Sequence, residues 1–248
     1  GLDMIGVIDC QVPEVLNEID ELIQQGKLTE LTGGGLRFRQ TTLILGSEIE
    51  IYDPQCLGPI HVLTYFPTLE KMRDFSQWMS HHVKNISLST QRIYVDGRAL
   101  QKKVHELDGL FIPAHVFTPF KSLYGKGVKE SLREVFDPKY IDAIELGLSS
   151  DTNMVGKIQE IQNYSFTTNS DAHSLPKIAR EYNKIQVEDI NFEEFLKALK
   201  REDGRKIIKN YGLDPKLGKY HRTYCEVCGK QIPGKAPVTK CDTCDSRN

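Results

Sequence analysis

An aspartate and a histidine two residues apart follow a strand-like run in the last third of the chain. The run spans residues 164–168, the motif Asn-Ser-Asp-Ala-His-Ser spans residues 169–174, and Pro176 follows, which predicts a strand that gives way to a loop. In an extended Asp-x-His segment, residues i and i+2 project to the same side. A carboxylate oxygen of Asp171 and an imidazole nitrogen of His173 can therefore reach one metal ion together. For such a motif standing alone, an ordinary surface turn is the alternative.

The same chemistry recurs in three earlier strand-like segments. Each contributes one residue: Glu48 in residues 42–51, His61 in residues 59–65 and His115 at the end of residues 110–115. Glu48 is set among apolar residues, and a carboxylate buried there without a cation or solvent would be costly. Because α/β barrels place their active sites at the carboxyl ends of their strands, we expect these side chains to share a metal site with Asp171 and His173. Independent structural histidines are the alternative.

Strand-like and helix-like patterns alternate along the chain without an internal repeat. Apolar residues recur at the 3.6-residue period of a helix in residues 13–25 and 69–79, and short apolar runs typical of buried strands separate such segments. This alternation predicts a parallel α/β fold, and a length of 248 residues suits a single α/β barrel. Towards the end we expect a short strand at 184–187, a helix that stops near Gly204 and a further basic helix that ends at Tyr211.

Charge is distributed unevenly along the chain. The net charge is −2, but residues 197–248 carry 13 Lys+Arg against 6 Asp+Glu, a net +7, which leaves −9 for residues 1–196. An acidic body suits metal ions and a basic tail suits polyanions, although a solvated helix end and a lysine-rich loop would give the same counts. No segment approaches the roughly 18 apolar residues of a membrane span, and no signal-peptide pattern is present. We therefore expect a cytoplasmic protein with no membrane partner.

Four of the six cysteines form two Cys-x2-Cys pairs separated by 12 residues: Cys225, Cys228, Cys241 and Cys244. Two such pairs can supply four thiolates to a tetrahedral zinc ion, and this spacing is a specific signal. Disulfide bonds are the alternative, but a chain without a secretory signal disfavours them. The sequence therefore predicts one structural zinc ion near the end of the chain.

Five short motifs resemble those of the PHP superfamily (polymerase and histidinol phosphatase). They are GLDMIGVID, LGSEIE, PIHVL, FIPAH and SDAHS. Within that superfamily, GLSSD at 147–151, NSDAHS at 169–174, ARE at 179–181 and HRTYC at 221–225, followed by the cysteine pairs, look most like the endonuclease Q family. PHP domains are distorted seven-stranded β/α barrels that hold two or three metal ions and hydrolyse phosphoesters. Members of the endonuclease Q family nick DNA on the 5′ side of deaminated bases.

The resemblance implies an α/β fold with two parts. Residues 1–212 would form a PHP-type metallohydrolase barrel of seven strands, and residues 213–248 a C-terminal zinc ribbon. Carried over residue by residue, the barrel metal ligands would be Glu48, His61, His115, Asp171 and His173, and the last three would be the catalytic residues. With histidine and carboxylate ligands mixed, a cluster of zinc, manganese or magnesium ions would fit; the ribbon would hold one zinc ion.

Two loops carry side chains that could bind a nucleic acid. Arg37 and Arg39 follow three glycines, and Lys121 and Lys126 lie in a long loop after His115. These four are candidates for phosphate contacts, and a flexible surface hairpin is the alternative for the arginines. A base flipped out of a duplex needs a pocket with a stacking surface, for which the loop offers three aromatic residues: Phe117, Phe120 and Tyr124.

The chain departs from the PHP pattern in two places. PHP domains open with a His-x-His strand, which would precede Gly1, and we expect residues beyond both ends of the sequence given. Many PHP domains also have histidine at the position of Cys10, which here is either a soft metal ligand or a small buried residue.

The leading hypothesis is a metal-dependent endonuclease for DNA that contains uracil or hypoxanthine. A small-molecule phosphatase of the same superfamily is the second reading, although it needs neither a zinc ribbon nor a basic tail. A nucleic-acid-binding module with an inactive barrel is the third.

Overall fold

The computed structural model of the chain describes residues 1–147, 155, 158–212, 225, 227–230, 232 and 240–246. The described helices are α1 (Pro13–Gln24), α2 (Leu69–Ser80), α3 (Gly97–Glu106) and α4 (Phe192–Lys200). The described strands are β1 (Met4–Val7), β2 (Thr29–Glu30), β3 (Leu36–Phe38), β4 (Thr41–Ile51), β5 (Ile60–Phe66), β6 (Arg92–Ile93), β7 (Leu110–Pro113), β8 (Ile144–Glu145), β9 (Phe166–Thr167), β10 (Tyr182–Gln186) and β11 (Lys206–Tyr211). None of these helices is long and apolar enough to cross a membrane.

Seven of the strands form one mixed sheet around β4. Its order is β2-β3-β4-β5-β7, and β1 and β6 also pair with β4. β4 is parallel to β1 and β6, whereas β3–β4, β4–β5 and β5–β7 are antiparallel. The prediction of a wholly parallel arrangement is therefore wrong, and residues 52–59 show why. A link of eight residues between β4 and β5 is shorter than the dozen or more that a parallel crossover requires.

The sheet is covered on both faces, which explains why its central strands are apolar almost throughout. In β5, Val62 and Phe66 belong to the larger buried cluster, which also contains the buried apolar side chains of α1, α2 and α3. Leu63 and Tyr65, which alternate with them, belong to a second cluster that includes Phe192 of α4. Successive side chains of a strand point to opposite faces, so a strand between two such clusters needs apolar residues at every position.

The helices begin where short polar side chains cap them. Thr68, Asp96 and Asn191 each accept a hydrogen bond from a backbone N–H three residues on, at the starts of α2, α3 and α4. α1 instead has Pro13 in its first turn, as its sequence predicts. Caps of this kind stabilise a helix by about 1 kcal/mol each. Ser150 and Asp151, whose side chains suit the capping of a following helix, lie outside the described residues.

Residues 206–211 differ from the prediction. The expected basic helix is strand β11, which pairs antiparallel with β10 from Tyr182↔Tyr211 to Gln186↔Lys206. Two isoleucines and a tyrosine favour a strand wherever a partner is available, and β10 provides that partner. The expected strand at 184–187 is present as β10. A third, smaller sheet pairs β8 with β9 in parallel.

Candidate metal centre

Three of the predicted ligands meet at one edge of the sheet. Oε1 of Glu48 lies 3.1 Å from Nδ1 of His61 and 3.3 Å from Nε2 of His115. One ligand atom from each residue lies within 4.8 Å of the others, and the two imidazole rings stand edge to face with centroids 5.3 Å apart. A carboxylate and two imidazoles so close together have the donor chemistry of a zinc or similar transition-metal site.

Antiparallel pairing is what brings Glu48 and His61 together. Glu48 lies in the last third of β4, His61 is the second residue of β5, and the register pairs Glu50 with His61 and Glu48 with Leu63. The end of one strand therefore meets the start of the next at the same edge of the sheet. Because residues i and i+2 of a strand share a face, Glu48 and Glu50 lie on the same face.

His115 reaches the site from the end of β7 in a strained conformation. Its φ is +31°, a region that residues other than glycine rarely adopt and that is often found at functional sites. Gly147 leaves the space that His115 needs, because a Cβ at residue 147 would lie 2.6 Å from Cβ of His115. Thr118 bonds Nδ1 of His115 at 3.0 Å, which orients the ring so that Nε2 faces Glu48.

The electrostatics of the centre keep Glu48 ionised. Burial would raise the pKa of this carboxyl, but hydrogen bonds with His115 and His61, the charge of His61 and a hydrogen bond from Thr90 outweigh burial and hold it well below its usual range. Burial likewise would lower the pKa of His115, yet the hydrogen bond with Glu48 and the charges of Glu145, Glu48 and Asp171 raise it. Glu48 is therefore held as a carboxylate between the two imidazoles, where its charge would attract a cation.

Two further side chains hold Glu48 and His61 and were not singled out from the sequence. The hydroxyl of Thr90 donates to Oε2 of Glu48 at 2.9 Å. Oε2 of Glu50 lies 3.4 Å from Nε2 of His61 and 3.0 Å from Nζ of Lys121. The spacing Glu48-Ile-Glu50 on one strand could have revealed Glu50. Nothing in the sequence around Thr90 indicates its role.

Glu145 of β8 was also missed, and it connects two parts of the site. Its Oε2 accepts a hydrogen bond from the backbone N–H of His115 at 2.8 Å, and its Oε1 accepts one from the side chain of Asn169 at 2.7 Å. The residue is buried. Burial raises its pKa despite the opposing charge of His115 and the two hydrogen bonds. Its position at the end of an apolar strand, like that of Glu48, was the available signal.

Asp171 and His173 lie in a more open place than the other predicted ligands. Oδ1 of Asp171 is 3.9 Å from Nε2 of His173, and the two side chains are 61% and 82% exposed. Among the described residues they are outside the set whose ligand atoms lie within 4.8 Å of one another. The charge of Asp171 nevertheless contributes to raising the pKa of His115, and Asn169 joins their loop to Glu145. Their role as ligands remains a prediction.

The four candidates for phosphate contacts divide into two places. Lys121 is at the centre, paired with Glu50, and Nζ of Lys126 lies 6.0 Å from the centre of the exposed Phe120 ring. Arg37, in contrast, is on β3, which pairs with residues 41–43 at the opposite end of β4, and its guanidinium donates to the carbonyl of Ile190. Arg39 is beside it, over the ring of Phe38.

The three candidate stacking aromatics differ in how far they are exposed. The rings of Phe117 and Tyr124 stack with centroids 5.6 Å apart, and the hydroxyl of Tyr124 donates to Glu160 at 2.7 Å. Phe120 is different because 57% of it is exposed. Of the three, Phe120 therefore has the surface that an incoming base would require.

The four C-terminal cysteines converge as their spacing predicts. Sγ atoms lie 3.5 Å apart in Cys225–Cys244 and 3.6 Å apart in Cys228–Cys241, and all four sulfurs lie within 4.8 Å of one another. A tetrahedral zinc ion with Zn–S bonds near 2.3 Å separates its ligands by about 3.8 Å. Each pair is part of a tight turn closed by a backbone bond from the residue after its second cysteine, from Gly229 and from Asp245. The geometry suits one zinc ion.

Two histidines and a cysteine outside these sites can also be placed. Cys10 is fully buried, its Sγ contacts the carbonyl of Val7 at 3.3 Å, and burial raises its pKa to about 12, so it is a small buried residue. The ring of His82 lies against that of Trp78 with centroids 4.7 Å apart and the planes tilted by 53°. His105 is half-buried and pairs with Asp142 at 3.1 Å.

Comparisons with known proteins agree with this geometry. Residues 153–203 match the family model described as "PHP-associated". The chain is 59% identical over 244 residues to the "Uncharacterized protein YqxK" of Bacillus subtilis (strain 168), covering 98% of this chain and 62% of that protein. It is 42% identical over 151 residues, 55% of this chain and 18% of the relative, to the "Uncharacterized protein MJ0043" of Methanocaldococcus jannaschii.

Two solved structures resemble the whole chain. The lesion-specific endonuclease PfuEndoQ from Pyrococcus furiosus matches with a TM-score of 0.82 and 34% identity over 100% of this chain and 60% of that one. Endonuclease Q in complex with a 27-mer duplex substrate, with an abasic lesion at the active site, matches with a TM-score of 0.82 and 33% identity, over 100% of this chain and 61% of that one. The chain thus spans about three fifths of the length of these relatives.

The helix-flanked mixed sheet and the histidine–carboxylate centre at its edge define the class: this is an α/β protein with a PHP-associated segment at residues 153–203. Over its whole length the chain is similar to endonuclease Q, which confirms the resemblance found in its motifs.

Proposed function

We propose that the chain is the catalytic part of a metal-dependent endonuclease that hydrolyses a DNA phosphodiester bond 5′ to a deaminated base, in DNA repair. The observation that carries the proposal is the Glu48–His61–His115 centre within a chain whose whole length matches a lesion-specific endonuclease. Uracil and hypoxanthine are the bases that the family resemblance implies. A complex of the related enzyme with duplex DNA supports DNA as the partner.

In this proposal, residues 1–212 form a distorted seven-stranded PHP-type barrel and residues 213–248 a zinc ribbon. The seven-stranded sheet supports the first part. β8 and β9 continue it beyond β7 through a hydrogen bond from the backbone N–H of Val116 to the carbonyl of Glu145. The convergence of four cysteine sulfurs supports the second.

The centre fits a divalent cation because a carboxylate and two imidazoles already face one another there. Glu48, His61 and His115 would hold the ion, and Asp171 and His173 would add ligands from their loop. Zinc, manganese or magnesium ions bound there would activate a water molecule and stabilise the charge that develops on the phosphate.

The other side chains of the site keep these ligands in place. Thr90 and Glu50 orient Glu48 and His61, while Thr118 and Glu145 hold the ring and the backbone of His115. Partners of this kind fix the orientation of a ligand, and their removal typically costs 10–100-fold in metal affinity or activity.

Recognition of the substrate is assigned to the loop after His115. The ammonium of Lys121 sits beside Glu50 at the centre, where it would attract a phosphate oxygen. The exposed ring of Phe120 would stack on a base that has been turned out of the duplex, and unstacking costs least for a damaged or mismatched base.

A nicking assay of the complete protein tests the proposal. Labelled duplexes would contain one deoxyuridine, one deoxyinosine or no lesion, with added Zn²⁺, Mn²⁺ or Mg²⁺. We expect one cut on the 5′ side of the lesion and none in the undamaged duplex. Equal cleavage of all three would indicate a general nuclease, and release of phosphate from small monoesters without nicking would indicate a phosphatase.

Binding without any cleavage would favour the third reading, a nucleic-acid-binding module. Glu48→Gln is the matched control in each arm, because it preserves the shape of the side chain while removing the ligand charge.

A further inference from the structure

A basic and aromatic surface adjoins the metal centre and has no part in it. The β10–β11 ribbon, residues 182–186 and 206–211, is a two-stranded antiparallel sheet separate from the main sheet. One side of it packs inward: Ile207 joins the second apolar cluster, and Asn183 and Asn210 bond to one another and to the backbone of residues 166–168. The other side faces solvent.

The solvent side of the ribbon is positive and contains stacked tyrosines. Lys184, Lys206 and Lys209 are exposed, and within the described part of the chain none of them forms an ion pair. The rings of Tyr182 and Tyr211 stack with centroids 4.7 Å apart, and the ammonium of Lys209 lies 4.8 Å from the centre of the Tyr211 ring.

No carboxylate opposes these lysines from within the ribbon, since neither strand contains aspartate or glutamate. Of the acidic residues that flank it, Glu188 pairs with Arg205 at 2.6 Å and Glu181 is buried. The positive charge of the ribbon is therefore presented to solvent.

The ribbon is attached to the loop that carries Asp171 and His173. Asn183 exchanges two hydrogen bonds with the backbone of Thr168, which directly precedes that loop, and the guanidinium of Arg180 donates to the carbonyl of Ser170. At this end of the ribbon, Tyr182 is paired with Tyr211. Two residues further along, Lys184 is paired with Lys209, and at the far end Gln186 is paired with Lys206. At about 3.3 Å per residue, the solvent side of the ribbon extends some 13 Å from residue 182, beside the loop, to residue 186.

We propose that the solvent side of the β10–β11 ribbon binds the phosphate backbone of duplex DNA and aligns it with the metal centre. The occupant follows from the chemistry, because three exposed ammonium groups, which form no ion pair with any described residue, complement a row of phosphates. Tyrosine hydroxyls and lysines are common phosphate contacts that position DNA without reading its sequence. This inference rests on the proposed function, in that it takes DNA as the substrate, and it places the backbone contact on a strand pair instead of a basic helix.

The salt dependence of binding provides a quantitative test. Each phosphate contact contributes about −0.9 to the slope of log K against log salt concentration for duplex DNA. Three contacting lysines would together contribute about −2.7. The complete protein with Lys184→Ala, Lys206→Ala and Lys209→Ala should therefore bind an undamaged labelled duplex with a slope that is less steep by about 2–3.

The matched control replaces three exposed lysines elsewhere, Lys27, Lys102 and Lys139, with alanine, which changes the net charge equally. Fluorescence anisotropy at several salt concentrations gives the slopes, and circular dichroism confirms that both variants fold. The control variant should keep the wild-type slope. Equal slopes in the two variants, or a wild-type protein with no measurable affinity for duplex DNA, would overturn the inference.

Nicking of a uracil-containing duplex by the same proteins separates this inference from the proposed function. A wild-type protein that binds with a steep slope dependent on the ribbon, yet cuts no lesion, would disprove the function and leave the ribbon assignment standing. If the wild-type protein nicks the uracil-containing duplex and the two variants have equal slopes, the ribbon assignment fails and the proposed function stands.

Discussion

The two candidate metal sites of this chain are built in different ways. Each pair of cysteines belongs to one tight turn, and the ligands of a pair are three residues apart. The Glu48–His61–His115 centre takes its ligands from three strands, and up to 67 residues separate them along the chain. One site depends mainly on local spacing, and the other depends on the register of a whole sheet.

Their surroundings differ as well. The histidine–carboxylate centre is held by hydrogen bonds with Thr90, Glu145 and Thr118 at the edge of two large apolar clusters. Around the cysteines, the buried apolar cluster of the described residues consists of Cys225, Ile232 and Cys241. The fold preorganises the first site, whereas the described residues around the second form only this three-residue cluster.

The largest effect should follow removal of zinc from the cysteine site. Binding of structural zinc is worth about 10–16 kcal/mol in small zinc modules, so a chelator should unfold residues 225–246 while the α/β body stays folded. Hydrogen exchange resolved by segment measures this, and metal analysis should find one zinc fewer in Cys228→Ser. Unchanged protection of residues 225–246 after chelation would contradict it.

The next largest effect concerns the other centre, where the fold should survive the loss of a ligand. Glu48→Gln removes the charge that draws a cation between the two imidazoles, so nicking should fall at least about 100-fold. The cysteine site should keep its zinc, which cobalt substitution can follow through thiolate-to-cobalt absorption. A variant with wild-type nicking would show that the cluster is not the active centre.

Glu145→Gln tests whether the buried carboxylate positions His115 and the Asn169 loop. An amide can accept only one of the two hydrogen bonds that Glu145 accepts, so nicking should fall about 10–100-fold with little change in DNA binding. Glu134→Gln is the control, because Glu134 also accepts backbone hydrogen bonds, from residues 129–131, but belongs to a separate turn. Equal losses in both variants would indicate general destabilisation.

The smallest effect comes from a histidine–carboxylate pair outside both sites. Burial lowers the pKa of His105, but the hydrogen bond and charge of Asp142 and a bond to the carbonyl of Tyr140 raise it above its ordinary value of 6.5. A raised folded-state pKa means that the stabilisation is fully present below 6.5 and is lost as the pH rises through the folded value.

The loss of folding free energy as the pH rises should be no more than about 1 kcal/mol, because the His105–Asp142 pair is only half-buried. The difference in melting temperature between the wild type and His105→Gln, followed against pH, measures it. A difference that grows with rising pH would contradict the assignment. His105 lies on α3, and the packing of this helix against residues 138–142 half-buries its ring beside Asp142 and the carbonyl of Tyr140.

The parts of this protein whose geometry is local could be predicted from its amino-acid sequence. Each Cys-x2-Cys turn brings its two sulfurs close together independently of the rest of the fold. Pro13 and the 3.6-residue period likewise specify α1 without reference to other elements. The residue types of the metal centre could also be predicted, because glutamate and histidine among apolar strand residues need a partner.

Which of those residues meet, and which side chains hold them, depends on how distant segments pack. The eight-residue link between β4 and β5 reversed the chain and placed His61, from the start of its strand, against Glu48. Thr90 reaches the centre from a loop 42 residues away, and residues 206–211 became a strand because β10 was there to pair with them. The physical reason is common to all three cases: the contacts join distant segments, so their free energy does not appear in any local pattern.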